Sequence, residues 1–193
     1  MASIINASTS GVGGVITTAD NSGDLNIQSG GSTKIAVTSA GVVVTGLSKG
    51  SLPTGSVLQV VSATGTSSTS TSSTSWTSTG VTATITPSSA SSKVIVIATL
   101  PTRTNMTGGN GGAFTIFRGT VAGTNLGTST LGLGLMSFSA AAQTPYTFTI
   151  TDSPATASAQ TYTIGMKSQG GGNTIYISDN FETWTITLIE VAA

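Results

Sequence analysis

The chain has 193 residues, no His and no Cys, and only 6% of it is charged. This composition excludes Cys and His-activated nucleophiles, imidazole proton shuttles and His- or Cys-built metal centres. Six Lys and Arg balance six Asp and Glu, so no basic field exists to draw in nucleic acid or an anionic membrane surface.

Roughly a third of the residues are Ser or Thr, and Gly adds 25 more. An apolar content of 37% and a mean hydropathy of +0.29 nonetheless set the chain apart from a wholly disordered one. The apolar residues are mostly Val and Ile, which suit pleated strands. The longest apolar run, Val94 to Leu100, is too short to cross a bilayer as a helix. Met1-Ala2-Ser3-Ile4-Ile5-Asn6 lacks the basic and apolar regions of a signal peptide, and the absence of Cys is compatible with synthesis in the cytoplasm. A near-neutral surface favours association, and cover by other subunits is expected.

Residues 1–50 hold short apolar runs: Val15-Ile16-Thr17, Leu25-Asn26-Ile27, Lys34-Ile35-Ala36-Val37 and Val42-Val43-Val44-Thr45. Gly13-Gly14, Asn21-Ser22-Gly23, Gly30-Gly31 and Ala40-Gly41 separate them as turn signals. Strands this short at near-regular spacing suggest rungs rather than a meander with a core of its own. Their aliphatic side chains are too few to offset the entropy of ordering the segment. Residues 1–50 therefore read as an anchoring arm or an intertwined oligomeric stem.

Leu52-Pro53-Thr54-Gly55 marks a hinge, and residues 53–193 read as an antiparallel β-sandwich, jelly-roll-like, of eight or nine strands. The runs begin with Val57 to Ala63. Val81-Thr82-Ala83-Thr84-Ile85-Thr86 alternates strictly, placing Val81, Ala83 and Ile85 on one face. Lys93 to Leu100 contains a continuous Val/Ile run, the pattern of a strand buried on both faces. Phe114 to Arg118, Tyr146 to Ile150, Tyr162 to Met166 and Thr174 to Ile177 follow. Trp184 to Val191 closes the series with Trp184, Ile186 and Leu188 on one face. Residues 66–75, almost pure Ser and Thr, read as an extended edge or loop. Residues 131–142 fit a strand, a short helix or an oligomer contact. Gly108 to Gly112 and Gly170 to Asn173 read as mobile hairpin tips.

The Gly-rich stretches lack the strand-to-helix setting and Lys-Ser/Thr of a phosphate loop. Asp20-Asn21-Ser22-Gly23-Asp24 offers oxygen ligands around a turn, although without the later bidentate Glu of an EF-hand loop, and a plain turn is the simpler reading. Asp152, Asp179, Glu182 and Glu190 are the carboxylates beyond residue 50, and a glycosidase needs two of them facing across a groove. Trp76, Tyr146 and Trp184 read as core aromatics. No catalytic, cofactor-binding or metal-binding residue is assigned, and the chain reads as a non-enzyme.

The order Gly13-Gly14-Val15-Ile16-Thr17-Thr18-Ala19-Asp20, Leu25-Asn26-Ile27-Gln28 and Lys34 to Val42 resembles repeated N-terminal segments of tailed-phage fibre and virion-surface proteins. Further matching stretches are Thr82 to Ser89, Ser92 to Val96, Phe117-Arg118-Gly119-Thr120, Thr151-Asp152-Ser153-Pro154 and Ile186 to Ala192. They are similar to a domain common in phages of aquatic bacteria. The resemblance implies a homotrimeric structural protein on the virion surface, most simply a tail fibre or receptor-binding part. Residues 1–50 would then meet other virion proteins, and the sandwich would meet a host-surface glycan or protein. The short stem also fits capsid decoration, a cement protein stabilising the head, whereas a polysaccharide depolymerase fits less well. Neither nucleic acid binding nor membrane insertion is implied.

Overall fold

β-Branched residues at alternate positions, set between turns rich in Gly and Ser, dictate short strands, and strands are what the computed structural model contains. It describes residues 25–49, 52–105, 111–137, 140–170 and 172–193, with no α-helix among them. The chain divides into two compact units, Met1–Leu47 and Ser48–Ala193.

In the first unit β1 (Leu25–Ser29), β2 (Ser32–Thr38) and β3 (Gly41–Val44) form an antiparallel sheet in the order β1-β2-β3. This is a meander, and the expectation of rungs is corrected. The reason lies in the turns: Gly30 and Gly31 take φ of +58° and +75°, the paired left-handed geometry that folds one strand directly back on the last. Leu25 pairs with Val37 and Val37 with Val42, while Ile27 pairs with Ile35 and Ile35 with Val44. Those residues share one face; Asn26, Ala36 and Val43 share the other. Val15 to Thr17 lies outside the described residues.

The second unit comprises β4 (Val57–Gly65), β5 (Thr69–Thr71), β6 (Thr77–Ile85), β7 (Lys93–Asn105), β8 (Gly112–Arg118), β9 (Thr124–Asn125), β10 (Gly134–Met136), β11 (Ala142–Asp152), β12 (Gln160–Ser168), β13 (Thr174–Ile177) and β14 (Trp184–Val191). The count exceeds the expected eight or nine because β5, β9 and β10 are very short. One sheet runs β10-β8-β12-β6, with β9 also on β8; the other runs β4-β14-β7-β13-β5, with β11 also on β7. The strands of both sheets pair antiparallel, and the two sheets enclose one core. Val81 and Ile85 of β6, Phe114 and Ile116 of β8, Ile164 of β12 and Ile186 and Leu188 of β14 are buried in it.

Lys93 to Leu100 is buried on one face only, which corrects the two-faced reading. Val94, Val96, Ala98 and Leu100 point into the core, whereas Ile95 and Ile97 are half-buried on the outer face. Ile95 pairs there with Ile189, which pairs in turn with Val60, so this part of the outer face is itself aliphatic. The two Gly-rich stretches are not hairpin tips. β7 and β8 belong to different sheets, as do β12 and β13, so neither pair of flanking strands is a hairpin; residues 108–110 and Gly171 lie outside the described residues. Gly111 and Asn173 within them are buried. Residues 66–75 contain the edge strand β5, and residues 131–142 contain β10 and the first residue of β11. Gly134 of β10 leaves room for the Tyr146 hydroxyl, which occupies the space a Cβ would take.

β7 organises the larger sheet. Along one side β11 pairs with it from Val94 to Thr104. Along the other, β14 covers Lys93 to Thr99 and β13 covers Thr102 to Asn105. β13 and β14 therefore follow the same line, interrupted by residues 178–183.

Candidate functional site

Residues 178–183 leave the sheet and return to it over its outer face. There Gln143 of β11, Arg103 of β7 and Tyr176 of β13 stand in register on adjacent strands. Arg103 lies above the Tyr176 ring, 5.2 Å from its centroid, and its Nη1 donates to Asp179 Oδ2. Gln143 Nε2 donates to Glu182 Oε1, and the Asn180 amide donates to Glu182 Oε2 at 3.0 Å. Backbone amides of Glu182 and Asn180 hold the Glu182 carboxyl below its ordinary pKa, helped by the Asn180 and Gln143 side chains. The base of the loop is fixed by Ser178 N–H donating to Pro101 O at 2.9 Å, and its crest by Phe181 N–H donating to Ser178 O at 3.0 Å.

The crest is conformationally expensive. Ser178 and Phe181 adopt φ of +49° and +61°, a left-handed region that bulky side chains rarely enter. The Ser178 hydroxyl is buried without a hydrogen-bond partner among the described residues. Phe181 is 75% exposed, the highest value among the exposed large hydrophobic residues. An isolated Phe in a turn-like Ser-Asp-Asn-Phe-Glu stretch carries no periodic signal, and sequence reasoning passes over it.

The carboxylates of the sequence reading separate into two groups. Asp179 and Glu182 both lie in this loop, on different partners. Asp152 is buried, accepting from Arg118 Nη1 at 3.2 and 3.1 Å and from the Tyr162 hydroxyl at 2.8 Å. Glu190 is buried as well, accepting from the Ser88 amide, the Ser88 hydroxyl and Gln59 Nε2, each at 2.6 Å. Burial pushes the Glu190 pKa up, yet these donors outweigh it and hold the carboxyl below its ordinary value. Asp152 and Glu190 are thus committed to the fold, and Asp20 and Asp24 lie outside the described residues.

The aromatics expected in the core are half-buried at its margin. Tyr146 and Trp184 pack against it, while Trp76 meets Phe117 edge-on at 5.9 Å and carries Lys167 Nζ 4.7 Å from its ring centroid.

A second surface stands out in the first unit. The face shared by Leu25, Ile27, Ile35, Val37, Val42 and Val44 is wholly aliphatic, and Leu25, Ile27, Val42 and Val44 are between 46% and 65% exposed. A three-stranded sheet acquires stability by packing such a face against something else. No known family model matches this chain, and no curated protein matches it in sequence.

Proposed function

We propose that the protein is a non-enzymatic structural component of a tailed-phage virion. It is a homotrimeric surface appendage whose N-terminal unit mediates assembly and whose β-sandwich serves as tail fibre or receptor-binding part. The observation that carries this reading is the exposed aliphatic face of β1, β2 and β3, a surface suited to burial against further copies or another virion protein. The sandwich adds an exposed aromatic on a fixed loop, and loops on rigid scaffolds are where recognition concentrates. Two of the four carboxylates beyond residue 50 are tied into the fold, which leaves little for a depolymerase.

Two measurements test the reading. Sedimentation of the purified full-length chain is expected to give a trimer, and antibody labelling is expected to find the protein on the phage surface. Copy number on purified virions then separates the roles: a few to tens of copies indicate a tail part, hundreds a capsid cement protein. Absence from purified virions overturns the proposal.

A further inference from the structure

We infer that residues 178–183 form a carbohydrate-contact site, with Phe181 as its stacking platform and a preference for neutral or amino-bearing sugars over acidic ones. The inference rests on the receptor-binding reading and names the ligand class for it.

Phe181 combines two unfavourable features that folding does not require. Its backbone is left-handed, a conformation that Gly holds without strain, and its ring stands in water rather than in the core. The backbone that carries the ring is also held in place. Ser178 is tied to Pro101, Asp179 to Arg103, and Glu182 to Gln143 and Asn180, so little backbone freedom remains to be lost when a ligand docks.

The chemistry around the ring selects the ligand. A phenyl face matches the C–H face of a pyranose. Asp179, Asn180, Glu182 and Gln143 supply carboxylate and amide groups suited to sugar hydroxyls, and each carboxylate retains acceptor capacity beyond the bonds described. A protein-binding hot spot is instead set among other apolar side chains. Among the described residues, the remaining exposed large hydrophobics of the sandwich, Val57, Val60, Leu131 and Leu135, all lie outside residues 178–183. Asp179 and Glu182 outnumber Arg103, so the loop is net negative and repels carboxylated, sulfated or phosphorylated sugars. One such contact is weak, and three copies on one appendage would supply avidity.

The test applies purified full-length protein to an array of immobilised neutral, amino-bearing and acidic oligosaccharides, and follows retained spots by titration. Binding to neutral or amino-bearing sugars is expected. Phe181→Ala and Phe181→Gly should weaken it by about tenfold, while Phe181→Trp retains it. Thermal melting confirms that the variants stay folded, as expected for a side chain so exposed. No retention of neutral or amino-bearing sugars overturns the inference, as does equal binding by Phe181→Ala or a preference for acidic sugars. Attachment to host cells that survives periodate oxidation of their glycans but not protease treatment assigns the loop to a protein partner and overturns it too. The array contains no virion, so its failure leaves the virion reading to be decided separately by copy number.

Discussion

Tyr162 and Asp152 tie the two sheets of the sandwich together. The Tyr162 phenol on β12 donates a 2.8 Å hydrogen bond to Oδ2 of Asp152, which ends β11 in the opposite sheet. Arg118 of β8 reaches the same carboxylate, so Asp152 receives two donors from the facing sheet. Burial, then the Asp152 hydrogen bond and charge, push the Tyr162 pKa far above its ordinary value. The phenol stays a donor across the physiological range.

Removing Asp152 should therefore be costly. Asp152→Ala leaves Tyr162 without its acceptor and Arg118 with the Ser153 carbonyl in place of a carboxylate, and about 3 kcal/mol of stability should be lost. Asp152→Asn keeps an acceptor for Tyr162 and should lose less. Urea unfolding midpoints of both variants check the order.

The two faces of β7 should respond differently to truncation. Leu100 is fully buried, and Leu100→Ala should cost about 3 kcal/mol through lost burial and a cavity. Ile95 is half-buried on the outer face, and Ile95→Ala should cost about 1 kcal/mol. Equal losses at the two positions would contradict the assignment of faces.

This contrast shows where sequence and structure part. Strict alternation at Val81, Ala83 and Ile85, and at Trp184, Ile186 and Leu188, makes the inward faces of β6 and β14 readable from residue order alone. β7 defeats the same logic because its outer neighbours Ile189 and Val60 are aliphatic, which removes the polar signal that marks a solvent face. A run of glycines announces a change of direction without stating whether the chain returns to the same sheet or crosses to the other. In the first unit, the paired glycines at 30 and 31 do carry the information that β1 and β2 form a hairpin. Phe181 is illegible for another reason: its significance lies in left-handed backbone and exposure, and neither follows from neighbouring residue types.

Acid should destabilise the sandwich through Glu190. Its folded pKa lies below its ordinary value of 4.5, so its contribution is fully present above pH 4.5 and disappears as pH falls through the lowered value. Melting temperatures should decline below about pH 4.5, and Glu190→Gln should flatten part of that decline. An identical acid profile in the variant would remove Glu190 as a source.

A charge placed on the aliphatic face of the first unit should prevent assembly. Under the proposed trimeric assembly, Val44→Asp puts a carboxylate on that face and should shift the full-length chain from trimer to monomer in sedimentation. Val43 lies on the opposite face, and Val43→Asp should leave the trimer intact. Dissociation by both variants would show that the burial is not specific to one face.

Phe181→Gly should make the protein more stable. Release from left-handed strain outweighs the extra flexibility of Gly in the unfolded chain, for a net gain of about 0.5 kcal/mol. A stabilised variant that no longer retains sugars would locate the cost of recognition at one residue.

Because β13 and β14 continue one line along β7, the sheet fixes where residues 178–183 depart and rejoin but not how many residues lie between. The segment is in effect an exchangeable cassette: longer or differently composed versions can be inserted there while both flanking strands keep their partners. The loop can diversify at this position without redesign of the scaffold, and the same position is the natural one for grafting a foreign peptide onto the protein.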